Sequence, residues 1–270
     1  MLKCIKFLFV IFLTFILLVS FSCSKSEKKI IVGMELAYPP FEMTDENGKP
    51  TGISVDMAYE FGSYIKEKIE IQNIPFDGLI PSLQTGKIDM IISSMTITPE
   101  RSKIVDFSIP YSKAYLALLV NINSNINSIE DLNKPGKVIA VKKGTTGHIY
   151  ATEHLKNATI NVFDKENACV IEVVQGKADA FIYDQLSIFR NWLNNKNTTK
   201  PILKPFQKDY EYWGIAVKKG NKDLLDKVNS FLIWFKQNGG FEKLAMKYLK
   251  EEKNYLDSLG IPFFFSIETK

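Results

Sequence analysis

The feature that most constrains this chain is a β-α-β-α-β alternation of strands and helices that occurs twice. In the first copy, apolar runs at residues 30–34, 69–75 and 88–92 are typical of buried strands. Apolar residues at helical spacing predict helices over residues 54–68 and 77–85. Because parallel strands need crossover helices, this order predicts an α/β fold with a mainly parallel sheet flanked by helices.

The second copy repeats the same order further along the chain. Its predicted strands and helices alternate at residues 138–141, 148–155, 159–163, 166–175, 178–183 and 185–193. Extended apolar runs at residues 114–120 and 213–217 connect the two copies, and residues 223–250 are strongly helical. Two similar units joined by two crossings predict two lobes with a two-strand hinge and a binding cleft between them.

This reading divides the chain into successive parts. The predicted parts are a signal peptide (1–22), a lipidated tether (23–29), a first lobe (30–113 with 214–250), a second lobe (114–213) and a C-terminal tail (251–270).

The N-terminus has the features of an export signal. Lys3 and Lys6 precede an apolar stretch at residues 7–19, and small residues follow it. A membrane anchor is the alternative, but the stretch is shorter than the roughly 20 residues that span a bilayer. Residues 19–23 (VSFSC) also resemble a bacterial lipoprotein processing site, although Phe21 stands where a smaller residue is common. That resemblance implies a lipid on Cys23 that holds an exported protein on a periplasmic or cell-surface membrane face.

Composition excludes several classes of function. The net charge is +4, from 34 basic and 30 acidic residues, and no basic run with interleaved aromatics predicts a nucleic-acid partner. Once the signal is removed and Cys23 is acylated, Cys169 is the only cysteine left, so no internal disulfide is expected. No metal-ligand spacing is present, and we expect neither a metal nor a cofactor.

Polar side chains follow the predicted strand at residues 88–92. Ser93, Ser94 and Thr96 come first, and Arg101 lies near the start of the next helix. The hydroxyls could simply satisfy local backbone groups, and Arg101 could be a surface ion pair. However, only Arg101 and Arg190 are arginines among the 34 basic residues, and a guanidinium binds a carboxylate through two parallel hydrogen bonds. Arg101 is therefore a candidate carboxylate clamp.

The second lobe offers complementary groups. Thr145 and Thr146 lie between Gly144 and Gly147 at a predicted helix start, which suits an anion but could also only cap the helix. Asp184 ends a predicted strand and could cap the next helix or accept from an ammonium group. Carboxylate-binding groups together with one acid suit the two ends of an amino-acid zwitterion.

Two aromatic residues are candidates for the walls of the cleft. Tyr38 stands beside two prolines, and Phe76 directly follows Pro75. Either ring could belong to the core, but a rigid loop favours a ring presented to a ligand.

Several motifs carry a family resemblance. They are YPPF (38–41), GISVD (52–56), FDGLIPSL (76–83), IDMIISSMTITPER (88–101), FSIPY (107–111), Gly144-Thr145 and ADA (178–180). In this order they resemble the polar amino-acid-binding family of periplasmic solute-binding proteins, from about residue 29 to about residue 249. The resemblance implies the two-lobe periplasmic binding protein fold, no catalysis, and delivery of an amino acid to the permease of an ABC transporter; we expect a monomer.

The resemblance also implies how the ligand's carboxylate is held. Arg101 and Thr146 would grip the α-carboxylate, with help from the backbone and hydroxyl groups of Ser94 and Thr96.

The other implied roles concern the ammonium group and the side chain. Ser93 and Asp184 would hold the α-ammonium group, and Tyr38 and Phe76 would sandwich the ligand side chain.

Two further positions bear on specificity. Glu35 matches a position where an aspartate often contacts a polar ligand tail, and Lys142 matches a position that is basic in some members and apolar in others. An acid alone would favour lysine, arginine or ornithine. An acid and a base together would favour glutamine or another neutral polar side chain, so the expected ligand is a polar or basic L-amino acid.

Two alternative functions remain open from the sequence. The first is an enzyme on the same scaffold, dehydratase-like or wall-cleaving, although no nucleophile–base pair is apparent. The second is a ligand-sensing domain, which is disfavoured because no membrane span or signalling segment follows Leu249.

Overall fold

The computed structural model describes residues 29–258 and Phe265. The predicted signal peptide, Cys23 and the predicted tether as far as residue 28 lie outside the described residues. None of the described helices is long and apolar enough to cross a membrane.

Two five-stranded sheets form the centre of the molecule. The first contains, in spatial order, β5 (Lys68–Asn73), β1 (Lys29–Met34), β6 (Met90–Ile91), β15 (Ala216–Lys218) and β7 (Val105–Phe107). The second contains β11 (Thr159–Phe163), β10 (Val138–Lys142), β12 (Ala180–Asp184), β9 (Leu116–Asn121) and β13 (Thr199–Ile202).

Two smaller sheets complete the strand arrangement. A hairpin sheet contains β2 (Ala37–Tyr38), β3 (Glu42–Thr44) and β4 (Pro50–Thr51), and an antiparallel ribbon contains β8 (Ser112–Ala114) and β14 (Glu211–Trp213). The ribbon forms the predicted two-strand hinge between the large sheets.

Both large sheets share one direction pattern. In each, four strands run the same way and one runs against them, β15 in the first sheet and β9 in the second. The parallel register pairs Val32 with Met90 and Ile139 with Ala180. The mainly parallel character predicted from the sequence is confirmed, and each reversed strand directly follows a ribbon strand.

Helices follow the strands and cover the sheets. They are α1 (Ile53–Ile65), α2 (Leu79–Gln84), α3 (Pro99–Ile104), α4 (Thr146–His154), α5 (Glu166–Val174), α6 (Gln185–Asn194), α7 (Lys222–Gln237), α8 (Gly240–Tyr248) and α9 (Lys250–Ser258), with short 3-10 helices at Phe76–Gly78 and Glu130–Leu132.

The structure corrects several predicted boundaries. The extended run at residues 114–120 is not one crossing, because it contributes to the ribbon and then becomes β9, whose six residues are all buried. A strand that is buried on both faces has a continuous apolar sequence. The boundary between the ribbon strand and β9 was therefore not predictable from the sequence. Residues 223–250 form two helices and the start of a third, because Gly239 adopts a left-handed conformation with φ 69°.

The C-terminal segment contacts parts of both lobes. In α9, Glu252 forms an ion pair of 3.0 Å with Arg190, and Tyr255 stacks on Phe189 at 4.3 Å. Both partners belong to α6, which packs on the second sheet. Phe265 instead stacks on Phe241 of α8 at 5.1 Å.

Candidate functional site

A small pocket, with a cavity volume of about 40 Å³, lies where the carboxyl ends of strands from both large sheets meet the ribbon. It is called the interlobe pocket below. Its lining residues are Glu35, Tyr38, Glu42, Phe76, Ser93, Ser94, Thr96, Arg101, Leu116, Thr145, Thr146, Tyr183, Asp184, Glu211 and Trp213.

Arg101 is a buried cation that lines this pocket. Thr98 caps α3 by accepting from the Arg101 backbone N–H at 3.2 Å, which fixes the start of the helix. The guanidinium donates to the backbone carbonyls of Thr96 at 2.7 Å and Gly144 at 3.0 Å, so it touches both lobes. The side chain is 8% exposed, and burial lowers the pKa of Arg101 to about 10, partly offset by the negative charge of Glu211. Among the described residues, no carboxylate oxygen lies within 4.0 Å of this guanidinium.

The second sheet supplies the loop between β10 and α4. Gly144 adopts φ 75°, and a Cβ there would approach the Cβ of Asp77 to 3.3 Å. Thr145 caps α4, and its hydroxyl donates to the Lys142 carbonyl at 2.7 Å. The capping role that the sequence left open is therefore present at Thr145, whereas the hydroxyl of Thr146 points to the pocket and donates to Glu211 at 2.8 Å.

Asp184 caps a helix and lines the pocket at once. Its Oδ1 accepts from the backbone N–H groups of Leu186 and Ser187 at the start of α6. Its Oδ2 accepts from the Tyr38 hydroxyl at 2.5 Å, across the boundary between the two sheets. Burial raises the pKa of Asp184, and the hydrogen bonds that it accepts oppose this shift. The two roles considered for Asp184 from the sequence are compatible.

Glu35 and Lys142 form a direct ion pair within the protein. Glu35 follows β1 and Lys142 ends β10, so the pair joins the two lobes. Both side chains are almost completely buried, and the ammonium group also lies 5.6 Å from the centre of the Phe76 ring. Lys142 does not itself line the pocket, but its pairing neutralises Glu35, which does.

Glu42 is a buried acid in a cage of serines. Its carboxylate accepts from Ser54 at 2.6 Å and from Ser93 and Ser94 at 3.2 Å each. Ser94 has a left-handed backbone with φ 47°, unusual for a residue other than glycine and typical of functional turns. Burial raises the pKa of Glu42 to about 8, although the three hydroxyls oppose this rise.

Four aromatic rings form the apolar walls of the pocket. Tyr38 packs edge-on against Tyr183 at 5.7 Å and against Trp213 at 6.3 Å. Phe76 lies beside the Arg101 guanidinium, 5.5 Å from its ring centre. Flat apolar surfaces thus alternate with charged groups around the pocket.

The structure brings the predicted site residues together. Ten of the eleven line the interlobe pocket, and the eleventh, Lys142, is paired with one of them. Sequence reasoning missed Glu42, Leu116, Tyr183, Glu211 and Trp213. Tyr183 precedes Asp184 at a strand end and could have been suspected, but Glu211 and Trp213 lie on the ribbon, where no local motif marks them.

Among the residues that the structure describes, no group of three or more His, Cys, Asp or Glu side chains is arranged to hold a metal ion. Cys169 is fully buried, and burial raises the pKa of its thiol to about 12.

Comparison with known proteins gives a consistent picture. Residues 30–251 match the family described as bacterial extracellular solute-binding proteins, family 3. The chain is 31% identical over 231 residues to the L-arginine-binding protein of Pseudomonas aeruginosa PAO1, covering 83% of this chain and 88% of the relative. It is 33% identical over 235 residues to the ABC transporter glutamine-binding protein GlnH of Bacillus subtilis 168, with 84% of each covered.

A solved structure shares the fold. It is the crystal structure of an ancestral amino acid-binding protein described as a precursor of cyclohexadienyl dehydratase, with 38% identity and a TM-score of 0.74. The match covers 82% of this chain and 94% of that one. The curated relatives above are named as binding proteins, whereas this neighbour is connected by its description to an enzyme.

The buried carboxyl of Glu42 makes a pH-dependent contribution to stability. Because its folded pKa of about 8 lies above the ordinary value of 4.5, the folded state holds the proton more tightly, and stability falls as pH rises between these values. We expect the free energy of unfolding to fall by about 4 kcal/mol more in the wild type than in Glu42→Gln between about pH 5 and pH 8. Urea unfolding of both proteins across this range measures the difference, and parallel pH profiles would contradict the expectation.

Proposed function

The chain belongs to the bacterial extracellular solute-binding proteins of family 3 and has their two-lobe fold, and we propose that it captures a polar or basic L-amino acid in the interlobe pocket. In this proposal it delivers the amino acid to the permease of an ABC importer. The amino-acid-binding names of its relatives support the class of ligand.

One observation carries the proposal: among the residues that the structure describes, the desolvated Arg101 guanidinium has only backbone carbonyls as hydrogen-bond acceptors. A buried cation is costly unless it is paired, and an incoming carboxylate would supply the pairing charge. Thr96 and Thr146 line the same pocket, and their hydroxyls would complete the grip on both carboxylate oxygens.

The opposite end of the ligand would meet Asp184. In this proposal its carboxylate, with the Ser93 hydroxyl, takes the α-ammonium group. Arg101 and Asp184 line the same pocket, as a zwitterion requires. Tyr38 and Phe76 would then enclose the side chain, which extends toward Glu35.

The ion pair of Glu35 with Lys142 bears on the choice between the two ligand classes. Because the acid is already neutralised by a buried base, the geometry favours a neutral polar side chain such as that of glutamine over a cationic one. The relatives include both types, an arginine-binding and a glutamine-binding protein. A methionine in place of Lys142 would leave Glu35 without its cationic partner and would favour a cationic ligand side chain instead.

Closure would follow from the same contacts. We place the lobes at residues 30–113 with 214–250 and at residues 114–213, joined by the ribbon. The ligand touches both lobes only when they are together, so it would shift the population toward the closed form, which the permease would recognise.

Binding without chemical conversion is part of the proposal. The acids of the pocket form interactions that suit ligand recognition. Glu35 forms an ion pair, and Asp184 accepts a hydrogen bond. Conversion of a bound amino acid to a product would contradict this part and would favour an enzyme.

Arg101 gives the direct test. A thermal-shift screen of the common L-amino acids identifies the ligand, since a bound ligand stabilises by mass action. Calorimetry should then show that Arg101→Ala weakens binding at least about 30-fold, or ~2–5 kcal/mol, because the ligand carboxylate is left buried and unpaired. Arg190→Ala is the matched control, since this other arginine pairs with Glu252 outside the pocket. Equal affinity of Arg101→Ala and wild type would refute the site, and a screen without any stabilising amino acid would refute the function.

Lys142 gives the test of ligand class. In Lys142→Met, Glu35 loses its cationic partner, so a ligand with a cationic side chain would supply the missing charge. We expect the affinity for arginine or lysine to rise at least about tenfold relative to that for glutamine, equivalent to about 1.4 kcal/mol. Lys143→Met is the control, because this exposed lysine pairs with Asp77 at 2.8 Å. An unchanged preference in Lys142→Met would be evidence against the role given to this pair.

Cys23 gives the test of anchoring. We propose export followed by lipid attachment at Cys23, which places the protein on a membrane surface. Cys23→Ser should therefore lose label from radioactive palmitate and leave the membrane fraction. Cys169→Ala, which changes a buried cysteine of the folded part, should still be labelled by palmitate and should stay in the membrane fraction. Membrane attachment of Cys23→Ser would be incompatible with the proposal.

A further inference from the structure

Glu211 places a carboxylate of the protein itself in the interlobe pocket. It begins the ribbon strand β14, and its Oε2 accepts from the hydroxyls of Thr96 at 3.0 Å and Thr146 at 2.8 Å. These hydroxyls come from opposite sides of the pocket, one after β6 and one at the start of α4. A single oxygen atom therefore joins the two lobes.

The second oxygen of this carboxylate is also held. Oε1 accepts from the Gln207 amide at 3.1 Å, and the amide oxygen of Gln207 accepts from the backbone N–H of Leu116 at 2.8 Å. Leu116 itself lines the pocket. Glu211 is thus fixed by three hydrogen bonds, and its charge acts on the nearby Arg101 guanidinium, whose pKa it raises against the effect of burial.

The groups around Glu211 are those assigned above to the α-carboxylate of the ligand. Thr96, Thr146 and Arg101 surround one anionic position. A hydroxyl has a single proton to donate, so neither threonine can donate to Glu211 and to a ligand carboxylate at the same time. Two carboxylates at this position would also repel each other.

We propose that Glu211 is an internal competitor that occupies the α-carboxylate position and must be displaced by the ligand, so that it sets the affinity of the protein. The inference rests on the proposed function. Glu211 belongs to the ribbon. The ligand would therefore displace a side chain of the element that connects the two lobes. The apparent dissociation constant equals the intrinsic one divided by the fraction of the time for which the site is free of the competing group.

Two other roles for Glu211 predict different effects of its removal on affinity and stability. If its carboxylate instead contacts a cationic part of the ligand, removing it weakens binding. If it only stabilises the ribbon, removing it lowers stability equally with and without ligand. Three readouts, affinity, stability without ligand and stability at saturation, separate these roles.

The experiment uses calorimetry and thermal unfolding with the best amino acid from the screen. Glu211→Ala should bind it about tenfold more tightly, as expected if the competitor holds the site for nine-tenths of the time. Without ligand, Glu211→Ala should melt at a lower temperature than wild type, because Arg101 loses a favourable charge. At saturating ligand the two melting temperatures should converge, since the ligand has displaced Glu211 in the wild type.

Two further variants keep the test decisive. Glu211→Asp retains the charge but is one methylene too short to hold both hydroxyls, so it should bind more tightly than wild type even if Glu211→Ala folds poorly. Glu153→Ala, which removes an exposed acid of α4, is the control for net charge and should bind as wild type does. If the wild type binds an amino acid and both Glu211 variants bind it with equal or lower affinity, this inference alone is overturned. Failure of the wild type to bind any amino acid overturns the proposed function and this inference with it.

Discussion

The structure depends on one desolvated positive charge between two sheets. Arg101 is held by one carbonyl that precedes its own helix and by another, that of Gly144, from the opposite lobe. Carbonyl dipoles keep the guanidinium in place but do not neutralise it. The surrounding hydroxyls, the loop after β10 and the ribbon acid all face this charge, so the geometry of the pocket is organised around an anionic position.

The four acids of the pocket are each satisfied in a different way. Glu35 has a buried lysine as partner, Asp184 has a tyrosine hydroxyl and a helix start, and Glu211 has two threonines and a glutamine amide. Glu42, caged by serines alone, has the raised pKa of a carboxyl that burial keeps protonated near neutral pH. Similar side chains therefore have distinct partners within one small volume.

Much of this arrangement was predictable because the carboxyl ends of parallel strands collect on one side of a sheet. The two β-α-β-α-β copies located Arg101, Thr146 and Asp184 at such ends, and all three line the pocket. The ribbon residues were not predictable in the same way, because an extended crossing has no periodicity that tells which side chain turns inward. Glu211 entered the pocket through a pairing between β8 and β14 that is distant in sequence, and the direct bond between Glu35 and Lys142 depends on how closely the two lobes approach.

The last helix adds a third attachment to a molecule that already has two crossing strands. A pair of strands defines an axis about which two bodies can turn, whereas an attachment away from that axis restricts the turn. In α9, which follows α8 directly, Tyr255 and Glu252 rest on α6 of the second lobe. A rotation of the lobes about the ribbon would therefore have to break these two contacts, which adds a cost that the ribbon alone does not impose.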